Sequence, residues 1–228
     1  MNNSLVRLAP NLKGTDYFVG DLFGQYTLLK KALSNVNFDI NRDRLICTGN
    51  IIDYGPESLQ IVSLLKEKWF HMVRGDHEHR FIDAFLHLDR AVYHTVLTKG
   101  GTWTIPLSQS RLEPLAIQFA KRPIALEVPI KNAMVGVVHA DPPGYWPSVK
   151  YPSQSLLKTM VGIDPVSNNI SHAPVVQGID KVVVGHRSFE SVTVHSNTWF
   201  IYKKLESETD LPELISMHDF LADVPVTA

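Results

Sequence analysis

The stretch Arg44-Leu45-Ile46-Cys47-Thr48-Gly49-Asn50-Ile51-Ile52-Asp53-Tyr54-Gly55 turns from an apolar run to a glycine-led polar loop within twelve residues. A short, continuously apolar run bounded by glycine reads as a buried strand and its end. The next segment has helical spacing, with Pro56 at a first turn and Leu59, Val62 and Leu65 on one face up to Lys68. The same unit stands on either side. Upstream, Tyr17-Phe18-Val19 stops at Gly20, and Leu28, Leu29, Ala32, Leu33 and Val36 mark a helical face. Downstream, Phe70 to Val73 runs into Arg74-Gly75, and Phe81, Ile82, Phe85 and Leu86 mark another. Strands alternating with crossover helices predict an α/β fold.

Beyond residue 120 the strand candidates are Ala125 to Val128, Ala133 to Val138, Lys181 to Val184 and Thr198 to Tyr202, with less helix between them. They are expected to form a second sheet. Asp141 to Pro174 reads as surface loop with one short helix near Ser155 to Met160, residues 206–210 as a turn, and Pro212 to Leu221 as a terminal helix. A length of 228 residues suits one domain, with a core over about 15–204 and a tail over 205–228. The formal net charge of -1 argues against a nucleic-acid binder working by phosphate neutralisation. The single cysteine, Cys47, excludes an intramolecular disulfide and fits a reducing compartment. No segment approaches the ~20 apolar residues of a membrane span, so a cytoplasmic protein without a membrane partner is expected.

In an open α/β sheet, ligands gather where loops leave the carboxyl ends of the strands. Here those ends carry Gly20-Asp21-Leu22-Phe23-Gly24, Gly49-Asn50, Gly75-Asp76-His77-Glu78, His139-Ala140-Asp141 and Gly185-His186. Taken singly, each has a plain reading: a helix cap for the aspartates, a turn with an exposed imidazole for Gly-His. Taken together, oxygen and imidazole donors from separate strand ends are what a divalent-metal hydrolase requires.

This ordered series resembles the phosphoprotein phosphatase family of metallophosphoesterases, whose pattern is Gly-Asp-x-His-Gly, Gly-Asp-x-Val-Asp-Arg-Gly, Gly-Asn-His-Glu, then His and Gly-His. It is most like the short bacterial and phage-lambda-type serine/threonine phosphatases, and the likeness extends to stretches such as Gly100-Gly101-Thr102-Trp103. The resemblance implies a calcineurin-like β-sandwich of two packed sheets flanked by helices. It also implies two metals about 3.5–4 Å apart. The first would take Asp21, the residue at Phe23, and Asn50; the second would take Asn50, Asp76, His139 and His186. His77 would be the catalytic acid and Asp53 its orienting carboxylate.

Several positions depart from that pattern. Phe23 stands for a histidine ligand, Asn50 for the bridging aspartate, Asp76 for an asparagine and Tyr54 for the phosphate-clamping arginine. Ile201-Tyr202-Lys203-Lys204 replaces Ile-Asp-Thr-Gly. Arg74 and Arg187 are the candidate substitutes for phosphate binding, each weighed against an ordinary ion-pair role. At most one divalent ion, Mn, Fe or Zn, is expected, down to none. The expected function is a pseudophosphatase that binds a partner or phosphorylated ligand with little turnover. The alternative is a single-metal phosphoesterase acting on a phosphoprotein or small phosphoester with altered specificity.

Overall fold

The computed structural model describes residues 4–163, 174–207 and 209–221. Strand β1 (Leu5–Arg7) precedes three strand–helix units: β2 (Asp16–Val19) with α1 (Tyr26–Asn35), β3 (Arg44–Cys47) with α2 (Ser58–Ile61), and β4 (Phe70–Met72) with α3 (Asp76–Phe85). Helices α4 (Arg90–Thr98) and α5 (Gln109–Ala120) follow, then β5 (Ala125–Ile130), β6 (Ala133–Val137), α6 (Gln154–Val161) and β7 (Lys181–Val184). The described chain closes with β8 (Thr193–His195), β9 (Thr198–Phe200), β10 (Ile215–Ser216) and α7 (Met217–Leu221).

Two sheets result, of order β10-β2-β3-β4 and β1-β5-β6-β7-β9-β8. Strands β2, β3 and β4 are mutually parallel, in the register Phe18 to Ile46 and Cys47 to Met72. The period-two alternation of strand side chains divides the core into layers. Phe18, Ile46 and Val73 of the smaller sheet meet Val128, Val137, Val183 and Trp199 of the larger between the two sheets. Val19, Leu45 and Cys47 point the other way, onto Leu29, Ile61, Phe81 and Phe119 of the helical layer. On the far side, Val182, Val184 and Phe200 are covered by Trp146, Val149 and Met160. This is the helix-flanked sandwich that the resemblance implied.

Several elements differ from the sequence reading. The helix expected up to Lys68 is a short α2 that tightens into a 3-10 turn over Val62–Lys66. The segment 90–120, for which the sequence suggests no element, holds α4 and α5; Val96 is the one buried residue of α4, and α5 carries Pro114 in its interior, so neither shows a clean apolar stripe. The expected loop from Asp141 to Pro174 contains a 3-10 turn over Trp146–Lys150 as well as α6, and its residues 164–173 lie outside the described residues. The terminal helix is shorter than expected. Ile215 and Ser216 instead pair antiparallel with Phe18 and Tyr17, covering the open edge of β2, and only Met217–Leu221 is helical.

Candidate metal and phosphoester site

The carboxyl ends of β2, β3, β4, β6 and β7 converge, and the loops leaving them carry the motif residues. Their backbones are strained. Phe23, Asn50, Asp53, Tyr54 and His186 all have positive φ, between 39° and 75°. Non-glycine residues hold such angles only where surrounding structure enforces them, and such positions gather at functional sites. Glu78 supplies much of the enforcement. Its fully buried carboxylate accepts the backbone N–H groups of Asn50 (2.9 Å), Ile51 (2.8 Å) and Gly75 (2.9 Å), tying the loop after β3 to the start of α3. Gly75 must be glycine because a Cβ there would lie 2.1 Å from Asn50 Oδ1.

Asp76, His139 and His186 come together so that one ligand atom from each lies within 4.8 Å of the others. His139 Nε2 is 3.2 Å from Asp76 Oδ1 and 3.2 Å from His186 Nδ1, and His186 Nδ1 is 3.6 Å from Asp76 Oδ1. Bonds of about 2.1 Å at tetrahedral angles separate ligand atoms by about 3.4 Å, so these three fit one divalent ion. The tautomer fits as well. His139 Nδ1 lies 2.8 Å from the Thr48 carbonyl, which can only accept, so Nε2 is the nitrogen turned to the site. Burial disfavours charge on His139, but Asp21, Asp76 and the Thr48 carbonyl outweigh it and push its pKa up to about 9. Burial likewise opposes charge on Asp76, yet hydrogen bonds from His139 and His186 hold it far below the usual carboxylate range. A proton on His139 Nε2 and a divalent ion therefore compete for one place.

Asn50 sits differently from the expected ligand role. Its Nδ2 donates to Asp21 Oδ2 at 3.0 Å and to Asp76 Oδ1 at 2.9 Å, while its Oδ1 accepts the His77 backbone N–H at 3.1 Å. The backbone N–H fixes which amide atom points where, because it can only donate. Asp21 is committed too, since Oδ1 accepts the His186 backbone N–H at 3.0 Å. Burial raises its pKa against the lowering effect of His139 and that N–H.

His77 Nδ1 lies 2.7 Å from Asp53 Oδ2, and the other oxygen of Asp53 accepts from Trp103 Nε1 at 2.7 Å. Both His77 and Asp53 are buried. Trp103 was legible only as part of a family-like stretch, without a role. Arg80 was missed. It forms an ion pair with Asp76 one helical turn away, the i,i+4 spacing being the signal that could have found it. This pair offsets the like-charge cost of placing a carboxylate at residue 76, beside Asp21 and facing any bound phosphoryl group.

The expected phosphate binders divide. Tyr54 lies on the wall of a cleft of ≈ 510 Å³ that also includes Asp21, Phe23, His186, Tyr202 and Lys204. Arg74 does not line it: its N–H donates to the Pro123 carbonyl, its side chain is buried, and its charged neighbours are Asp83 and Glu78. Burial lowers the pKa of its guanidinium. Arg187 donates to Asp141 at 2.6 Å and lies over the Phe200 ring, 5.9 Å from its centroid. Arg187 is thus held in an ion pair, whereas buried Arg74 forms none among the described residues and its Nε has no hydrogen-bond partner.

A family model described as calcineurin-like phosphoesterase matches residues 17–226. The Escherichia coli (strain K12) serine/threonine-protein phosphatase 2 is 31% identical over 191 residues, covering 81% of this chain and 85% of that protein. The Proteus mirabilis symmetrical bis(5'-nucleosyl)-tetraphosphatase is 34% identical over 76 residues, 32% of this chain and 28% of that one. Among solved structures, a Saccharomyces cerevisiae protein serine/threonine phosphatase superposes with a TM-score of 0.65 at 15% identity, covering 88% of this chain and 71% of that one.

Proposed function

The chain belongs to the calcineurin-like phosphoesterase family, in its phosphoprotein phosphatase group, and from that premise we propose a pseudophosphatase that holds one divalent ion and a phosphorylated ligand with little turnover. The family uses divalent metals. The observation that carries the reading is Asn50, whose amide N–H groups bind Asp21 and Asp76 where a second cation would be shared. A carboxylate at this position would offset cation–cation repulsion; a neutral amide brings no charge to do so. Asp76, His139 and His186 would hold the one ion, which when bound supplies Lewis-acid attraction for a phosphoryl oxygen. Tyr54 offers that oxygen neither charge nor a bidentate fork. The ligand class is a phosphoprotein or small phosphoester, with a protein partner as the other candidate. The free, buried Cys47 suits a cytoplasmic setting.

One observation favours turnover. A scaffold that only binds does not need the chain Trp103–Asp53–His77, in which Asp53 orients the imidazole and leaves Nε2 to hold a proton for a leaving oxygen. Kinetics decide between the two. The Mn-loaded chain would be assayed on an aryl phosphate, a phosphoserine peptide and a dinucleoside tetraphosphate, beside His77→Asn and a fourfold variant. The latter combines Phe23→His, Asn50→Asp, Tyr54→Arg and Asp76→Asn. Weak wild-type turnover that rises by orders of magnitude only in the fourfold variant supports the pseudophosphatase. Efficient wild-type turnover abolished by His77→Asn overturns it in favour of a single-metal phosphoesterase.

A further inference from the structure

Phe23, Tyr54 and Tyr202 sit at motif positions where the family pattern has a metal ligand, a phosphate clamp and an acidic turn residue. In the fold they are one surface. The Phe23 ring is at the centre, edge-on to Tyr54 at 5.2 Å and 77° and to Tyr202 at 5.8 Å and 65°. It also meets the His77 ring at 5.1 Å and 80°. These edge contacts are the arrangement that aromatic quadrupoles favour, so the rings brace one another rather than collapsing separately. Tyr54 is 60% exposed and Phe23 and Tyr202 are part-buried, and all three line the ≈ 510 Å³ cleft.

The lining of the cleft mixes this apolar wall with a few polar groups. His186 belongs to the cluster with Asp76 and His139, and His77 abuts Phe23. Leu205 adds apolar surface, Asp21 and Gln25 add polar groups, and Lys204 supplies a cation. A phosphoseryl group presents a short aliphatic arm followed at once by peptide N–H and C=O groups, which lose hydration against such a wall and find few partners there. A flat ring loses nothing polar and gains apolar burial and ring–ring contact. The volume lies within the ordinary range for small-ligand clefts, about 300–1,000 Å³.

We propose that this aromatic wall makes the cleft selective for phosphomonoesters of a flat aromatic group, the phosphoryl beside His186 and the ring on Phe23, Tyr54 and Tyr202. The inference rests on the reading of the cleft as a phosphoester site. It turns three losses of catalytic function into one gain of specificity. Tyr54 then has a role as a ring rather than as a poor substitute for an arginine.

Calorimetric titration of the full chain with Mn present tests it, using inorganic phosphate, O-phosphoserine and phenyl phosphate. Covering one ring face predicts phenyl phosphate binding about tenfold or more tighter than O-phosphoserine. Phe23→Leu and Tyr202→Leu, which keep apolar bulk and remove the rings, should bring that ratio towards one. A ratio is read because it survives any uniform loss of affinity. Circular dichroism checks that each variant is folded, and Tyr54→Leu, at the most exposed ring, supplies a third measurement. If inorganic phosphate binds but wild type shows no preference for phenyl phosphate, this inference is overturned while the phosphoester reading stands. If a preference exists and none of the three variants reduces it, the wall is not its source and the inference again falls. If inorganic phosphate itself does not bind, the underlying reading fails as well.

Discussion

Asn50 does with two N–H groups what its relatives' bridging carboxylate does with two metals: it holds Asp21 and Asp76 together, at 3.0 and 2.9 Å. Asn50→Asp would remove both donors and set a third carboxylate against those two. Unit charges at ~4 Å repel by about 4 kcal/mol at an effective dielectric near 20, part of which protonation relieves. The variant should therefore melt roughly 5–15 °C below wild type in chelator and gain more from added Mn than wild type does, because the ion relieves its added repulsion as well as binding the folded state. Equal responses of the two proteins to chelator would refute the bridging role. Trp103→Phe keeps a ring stacked at 5.7 Å on Phe81 but removes the N–H bound to buried Asp53. Losing a hydrogen bond to a charged group should cost about 1.5–3 kcal/mol in urea unfolding while leaving metal content unaltered. An unchanged urea midpoint would show that Asp53 finds another donor. The motif substitutions were legible in the sequence because each stands at a fixed distance from a glycine. Trp103 and Arg80 were not, because the Asp53 partner arrives from fifty residues away and the Arg80 spacing also describes any surface helix pair.

Strands β2, β3, β4 and β7 were legible because each is a short, mostly apolar run followed within three residues by a glycine. Strands β1, β8 and β10 were not, since a three-residue or two-residue edge pairing leaves no periodic signal. The same sheet carries a titrating group away from the site. His71, mid-way along β4, has its pKa lowered to about 4 by burial and by the nearby Arg44 charge. The folded chain keeps it neutral down to that pH, while the unfolded chain binds a proton from about 6.5 downward. Between those values the unfolded state binds more protons, so stability is fully present above about 6.5 and is lost as pH falls towards 4. Allowing for partial exposure, the loss should be about 1–3 kcal/mol. Denaturant titrations at pH 7.5 and 4.5 should show a smaller drop for His71→Gln than for wild type. Parallel drops would place the acid sensitivity elsewhere.

For the molecule as a whole, the two sheets act as a frame that brings donors from β4, β6 and β7 to one point, and the number of ions is set by counting those donors. At the position expected for a first ion, Phe23 cannot coordinate and Asn50 turns its N–H groups rather than its oxygen to Asp21, which leaves Asp21 as the one anionic ligand. What remains falls short of the three or more protein ligands such an ion needs. At the second position Asp76, His139 and His186 offer one carboxylate and two imidazoles at mutual distances of 3.2, 3.2 and 3.6 Å. Arg80 pairs with the other Asp76 oxygen and keeps the carboxylate from swinging away. The purified protein should therefore hold no more than one transition-metal ion per chain. Asp21→Asn, which keeps an acceptor for the His186 N–H, should retain it, and His139→Ala and His186→Ala should each lose it. Affinity should fall as pH falls, because protons compete for the imidazole nitrogens that coordinate. Elemental analysis of the four proteins, with wild type repeated at pH 8 and pH 6, checks each step. Two equivalents in wild type would restore a dinuclear site despite Phe23. Metal lost from Asp21→Asn alone would move the single ion to the other position, and with it the place in the cleft where a phosphoryl group could sit.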